Sequence, residues 1–227
     1  MAFTGSLPEL GEISLVRVPR GHKALSRIWN TMMKRHHYLG SGPLCGDQIR
    51  YLVQSSRTGY LGALSFSSAA WKVAVRDAWI GWSPEQRVGG LSWVVANSRF
   101  LILQHVRVPH LASHVLGKAV KTLPGDWETT IGERPLLLET FVEEGRFRGT
   151  CYRAAGWDEI GRTAGQGRGV PVKKVLVYSL AEEARLLLRE EKPAYELPCP
   201  PALVPGDWAE EEFLGVFLPD KRLRARF

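Results

Sequence analysis

The feature that most constrains this chain is the run Leu136-Leu137-Leu138-Glu139-Thr140-Phe141-Val142. A strand with one wet face alternates apolar and polar side chains, whereas a near-continuous apolar run marks a strand covered on both faces. Such a strand belongs in the middle of a sheet with helices on both sides. The single acid adds a second condition. A carboxylate in a central strand is costly unless it is paired, hydrogen-bonded or protonated. Glu139 must therefore meet a buried arginine or act as an acid/base group with a raised pKa.

The surrounding pattern supplies the other layers. Glu12–Val18 reads as a strand closed by Pro19 and Gly21, and His22–Tyr38 as an amphipathic helix with Leu25, Ile28, Trp29, Met32 and Met33 at three- and four-residue steps. Arg50–Gln54 and Tyr60–Phe66 form a hairpin pattern. Ser67–Trp79 is predicted helical, followed by a short helix or loop after Pro84 and strands at Leu91–Val95 and Arg99–Val108. Pro109 opens a helix to about Lys121, and GDWETTIGERP is predicted as a loop. A short helix at Gly149–Ala155 and strands at Trp157–Thr163 and Val172–Leu180 complete the body, with the glycine-rich AGQGRG turn between the last two. The order fits a mixed α/β (α+β) sheet with helices on both faces, and neither a doubly wound nor an all-β pattern.

Charge separates the body from the C-terminal segment. The 227 residues hold 30 Lys+Arg and 23 Asp+Glu, a net +7. From Glu182 to the end there are 7 basic and 10 acidic side chains, so residues 1–181 carry +10. We therefore expect a body over 1–181 and an acidic, Pro-rich extension over 182–227 that packs on it. A basic body favours an anionic partner: nucleic acid, or a small acidic or phosphorylated substrate. With 44% hydrophobic and 23% charged residues the chain is not a disordered or fibrous one. No apolar run reaches membrane-span length, and no secretory signal is read at the start. Three well-separated cysteines (Cys45, Cys151, Cys199) fit free thiols, so a cytoplasmic location is expected.

The chain resembles known proteins at two levels. RFLILQHVRVPHLASHVLGKAV and LLLETFVEEGRFRGTCYRAAGWDEIGRT resemble the central strand, main helix and closing elements of the Gcn5-related N-acetyltransferase (GNAT) fold. In that register Tyr152 falls where many such enzymes keep a general-acid tyrosine. More specifically, RHHYLG, AAWKVAVRDAWIGW, NSRFLIL, HLASHVLGKAV, LLLETFV, GTCYRAAGW and GRTAGQGRG, in that order, resemble the domain of DruA-type proteins of Druantia anti-phage systems, a domain also found on some transposases. The resemblance spans about 22–180 and implies a role in phage defence or mobile elements, acting on or with nucleic acid. Gln104-His105 departs from the Pro-Trp expected there.

Candidate chemistry is spread over several segments. His36-His37-Tyr38 ends a helix before a glycine-rich turn, where one histidine can face a cleft as general base. Cys151 is a possible nucleophile and Tyr152 a proton donor. With Glu139 as orienting carboxylate these five residues make a candidate group-transfer site, the alternative to nucleic-acid action. Where a GNAT enzyme places its pyrophosphate loop, the chain reads Val108-Pro109-His110-Leu111-Ala112-Ser113-His114, without the glycine pair that lets backbone N–H groups approach phosphate. No cofactor is predicted, and acyl-CoA is disfavoured though not ruled out. Lys72 and Arg76, among Trp71, Trp79 and Trp82, and Arg162 and Arg168, around AGQGRG, are the candidate nucleic-acid contacts. His110 and His114 stand at i, i+4, but with neither HExxH nor CxxC no metal site is predicted.

Overall fold

A computed structural model describes residues 3–44, 46–165 and 171–190. Arg168, Cys45, Cys199 and the extension from residue 191 onward lie outside the described residues. The elements in chain order are β1 (Phe3–Thr4), β2 (Ile13–Arg17), α1 (Lys23–His36), β3 (Gln48–Ser55), β4 (Gly59–Ser68), α2 (Ala74–Ile80), α3 (Pro84–Gly90), β5 (Val94–Ile102), β6 (Val106–Arg107), α4 (Leu111–Ile131), β7 (Leu137–Glu143), α5 (Thr150–Ala154), β8 (Asp158–Arg162), β9 (Lys173–Ser179) and α6 (Ala184–Leu187). Seven strands form one sheet in the order β2-β3-β4-β5-β7-β9-β8. Neighbours are antiparallel except the central pair β5 and β7, which is parallel. This is the mixed sheet that the sequence order implied.

As the apolar run demanded, β7 is central and covered on both faces. Side chains alternate across it: Leu138 and Val142 join the large core shared with Trp29 and Met33 of α1 and with Leu116, Leu123 and Trp127 of α4. Leu137 faces the other way, into a smaller core with Val94, Val177, Ile80 of α2 and Trp82. Leu188 is fully buried in that second core, and Ala184 of α6 is 1% exposed, so packed structure continues past residue 181.

Three segments depart from the sequence expectation, each for a tertiary reason. Ser67 and Ser68 continue β4, pairing with Ala96 and Val95, and the helix begins only at Ala74. Leu91–Trp93 is a 3-10 turn, and a single strand runs from Val94 to Ile102, joining through Asn97-Ser98 what were expected as two strands, at Leu91–Val95 and from Arg99 onward. There the register slips between Ser65 and Phe66, so Ser98 is an extra residue, a β-bulge. The third is α4, which runs ten residues beyond Lys121, straight through Pro124 and Gly125. An internal proline costs about 3 kcal/mol. Burying Trp127, which is 2% exposed, offsets it: an aromatic side chain of roughly 200 Å² is worth about 5 kcal/mol at 25 cal/mol per Å². Gly132, at φ +91°, then ends the helix in the left-handed conformation glycine adopts freely.

Candidate functional site

The two central strands do not stay together. β5 and β7 are paired only over Val94–Ala96 and Leu137–Glu139. Beyond that point β5 is held only by β4 and β7 only by β9, and the bulge at Ser98 lies where the gap begins. The gap opens a cleft of about 850 Å³. Its floor is a closed set of hydrogen bonds that replaces the missing ladder. Thr140 Oγ1 donates to the Asn97 carbonyl at 3.1 Å, tying the separated strands together. The Asn97 amide nitrogen donates to the carbonyls of Ser65 and Arg99 at 3.0 and 3.2 Å. Tyr152 Oη donates to Asn97 Oδ1 at 2.6 Å. Burial pushes the Tyr152 phenol pKa up, so it stays protonated at neutral pH.

Two loops form the mouth. α1 ends at His36, and His37, in extended conformation, donates its backbone N–H to Met33 while its Nδ1 accepts from Leu39 N at 3.2 Å. The His37 ring stacks on Tyr38, with centroids 5.0 Å apart. From the β7–α5 loop, Phe147 meets Tyr38 at 5.3 Å and the Arg146 guanidinium lies 4.8 Å over the Tyr38 ring. Phe147 remains 48% exposed.

The cleft is lined by Arg99, Arg146, Arg148 and Lys173 and, among the described residues, by no aspartate or glutamate. Arg146 is paired with Glu143 at 3.1 Å. The other three have no ion-pair partner among the described residues. Arg99 is instead fixed by carbonyls: Nη1 donates to Ser98 O at 2.8 Å and Nε to Gly40 O at 3.2 Å. Burial lowers its pKa from a very high starting value. Burial and the neighbouring Arg99 charge also depress His37 to about 4.

Four of the five residues expected in a group-transfer site line this cleft: His36, His37, Cys151 and Tyr152. Among the described residues no hydrogen bond joins either histidine to Cys151 or Tyr152. A base with pKa about 4 takes a proton poorly at neutral pH. Burial raises the Cys151 thiol pKa, the opposite of nucleophile activation, and the Tyr152 proton is engaged by Asn97.

The fifth residue requires a correction. Glu139 is fully buried on the far side of β7 from Thr140, outside the cleft, with both carboxylate oxygens 3.1–3.2 Å from Arg76 Nη1. Burial raises its pKa, and Arg76 pulls the other way. Of the two roles the run allowed, partner to a buried arginine is the one observed.

Arg76 is corrected with it. Expected as a surface contact, it has no exposed area, pairs with Asp77 and Glu139 at 2.8 and 3.1 Å, and caps the carbonyl of Ala70. Trp71, 58% exposed and 5.4 Å from Arg87, takes the outer position instead. Lys72 is exposed, but it is not among the cleft-lining residues. Arg162 is exposed and already holds Glu144 at 3.0 Å and Glu159 at 3.9 Å. The cationic set that does converge was missed. Its signal was present in Arg146-Phe147-Arg148, an exposed aromatic between two arginines immediately after the central strand.

Among the described residues no cluster of three or more His, Cys, Asp or Glu could hold a metal ion, and no helix is long and apolar enough to cross a membrane. The N-terminus of α4 begins after His110, which adopts φ +62° and makes no side-chain cap.

These features define a class: a mixed α/β sheet opened between its parallel central strands into a basic cleft. The family model described as Druantia protein DruA matches residues 3–179, and the chain belongs to that family. No curated protein matches it. Among solved structures, a chimera of the Vibrio cholerae spermidine N-acetyltransferase SpeG and hSSAT is 12% identical, with 75% of this chain and 96% of that one covered at a TM-score of 0.48. The Vibrio cholerae spermidine N-acetyltransferase in complex with CoA and spermine is 11% identical over 77% and 98% of the two chains, at a TM-score of 0.47.

Proposed function

We propose that this DruA-family chain serves in phage defence or mobile-element biology by acting on or with nucleic acid held in the split-sheet cleft. The observation that carries the reading is the lining: four cationic side chains, three of them unpaired, and no carboxylate among the described residues around about 850 Å³ of open space. Carboxylate-free basic clefts focus positive potential and concentrate polyanions. The family to which the chain belongs supports the defence setting.

The test is salt dependence. Three to four phosphate contacts on a single strand give a slope of log K against log salt of roughly −2 to −3. Between 50 and 200 mM salt, affinity for a single-stranded oligonucleotide should then fall by about 20- to 50-fold. Affinity that does not change across this range refutes the reading.

The second reading, group transfer to a small molecule, is favoured by one feature: Cys151 and Tyr152 both line the cleft. Against it stand the thiol pKa raised by burial, the weakly basic His37 and the removal of Glu139 to the far side of the strand. Mass spectrometry of the purified protein separates the two. A co-purified acyl group or small substrate supports group transfer, and co-purified nucleic acid supports the first reading.

A further inference from the structure

The cleft is basic, but its cations are not scattered as they would be on a generic polyanion-binding surface. Arg99 Nη1 and Nε are committed to backbone carbonyls of Ser98 and Gly40, which fixes the guanidinium plane, while Nη2 has no partner among the described residues. A pre-positioned guanidinium with a free edge suits a phosphate oxygen, because little side-chain freedom is lost on binding. Arg148 and Lys173 supply two further charges to the same cleft, without an ion-pair partner among the described residues.

The mouth adds a flat apolar surface. Phe147 is 48% exposed although it is aromatic, and it sits between Arg146 and Arg148. It is not loose: the Tyr38 ring packs against it, tilted by 55° at 5.3 Å, and Tyr38 is itself braced by the His37 ring and the Arg146 guanidinium. An exposed aromatic braced in this way is a stacking platform. A cleft volume of about 850 Å³ falls within the range of pockets that enclose small molecules.

We infer that the cleft takes one unstacked nucleoside phosphate, with the base on Phe147 and the phosphate on Arg99, Arg148 and Lys173. The inference deepens the nucleic-acid reading and rests on it. It also sets a preference for single strands. A duplex shows its bases only as edges in the grooves, and their flat faces become available to an aromatic side chain only when unstacked. The shared chemistry, a base with a phosphate, is offered both by a free nucleotide and by a single strand.

The test uses the full chain and a ten-nucleotide oligonucleotide carrying 5-iodouracil, free or annealed to its complement. Irradiation should crosslink the single strand to the peptide holding residues 146–148, and the duplex far less. Phe147→Ala should weaken single-strand binding by about 5- to 150-fold with an unchanged salt slope, since one stacked base is lost and no charge. Arg148→Gln should instead reduce the magnitude of the slope by about 0.7. Phe147 is exposed on a loop, and an unaltered melting temperature shows that Phe147→Ala is folded. Competition by free 5′-dAMP assigns the site to a soluble nucleotide; failure to compete, with the crosslink intact, assigns it to the strand.

Single-strand binding unaffected by Phe147→Ala, with the crosslink still inside the cleft, overturns the inference and leaves the nucleic-acid reading standing; a crosslink outside the cleft, such as at Trp71, overturns both. Binding of neither oligonucleotide nor dAMP at low salt overturns both.

Discussion

Replacing Arg76 tests whether Glu139 is structural. Arg76 and Glu139 are both fully buried, and the guanidinium also reaches Asp77 at 2.8 Å and the Ala70 carbonyl at 2.9 Å. Arg76→Met leaves Glu139 buried without its cation, which costs about 3–5 kcal/mol. For a chain of this size each kcal/mol lowers the melting temperature by roughly 2–4 °C, so a fall of about 6–20 °C is expected. The double variant Arg76→Met/Glu139→Leu removes both charges and fills the space. Asp77 keeps Arg87 at 3.5 Å, so the double variant should recover to within about 2 kcal/mol of the parent. Urea denaturation of the parent, both singles and the double closes the cycle. A loss below about 1 kcal/mol for Arg76→Met, or a double variant worse than the two singles combined, refutes the reasoning. The double variant should also bind single-stranded nucleic acid like the parent, because neither side chain faces the cleft.

Tyr152→Phe should destabilise the chain by about 1–3 kcal/mol in chemical denaturation, since Asn97 Oδ1 loses its 2.6 Å donor inside the sheet; a neutral result would show that this bond does not hold the floor. His37 is depressed in the folded state to about 4 from an ordinary 6.5. The unfolded chain therefore binds the extra proton first: stability is complete above pH 6.5 and is lost as the pH falls toward 4. His37→Gln should flatten the thermal stability profile across that window, and an equally steep profile in the variant would assign the loss to other groups. Cys151, with its thiol pKa raised by burial, should be alkylated by iodoacetamide at pH 8 more slowly than a free thiol when its peptide is followed by mass spectrometry. Fast labelling would restore it as a nucleophile.

Much of the fold was legible because its strongest signals are periodicities. The run at 136–142 demanded a central strand covered on both faces, and the three- and four-residue spacing at 25–33 marked the helix covering one of them. The failures came where tertiary contacts outweighed local preference. Pro124 and Gly125 read as a helix stop, yet Trp127 draws the helix onward into the core. Leu91–Val95 and Arg99–Val108 read as two strands, yet one strand runs through the bulge between them, where the Asn97 side chain donates to the carbonyls of Ser65 and Arg99.

The site was legible by segment rather than by residue. His36, His37, Cys151 and Tyr152 do meet in one cleft, because their segments flank the same gap between strands. No sequence period announces that two adjacent parallel strands separate after three residue pairs, so the convergence of Arg99, Arg148 and Lys173 was hidden. Arg76 misled for a related reason. Its side chain was read with the tryptophans around it, while its partner Glu139 lies 63 residues away.

The most direct test of the central claim compares the salt dependence of single-stranded oligonucleotide binding by the parent and by the triple variant Arg99→Gln/Arg148→Gln/Lys173→Gln. If the cleft holds the strand, log K against log salt should flatten by about 2 in the variant, roughly 0.7 for each phosphate no longer neutralised. An unchanged slope with unchanged affinity would contradict the account, because the strand would then be bound elsewhere on the basic body.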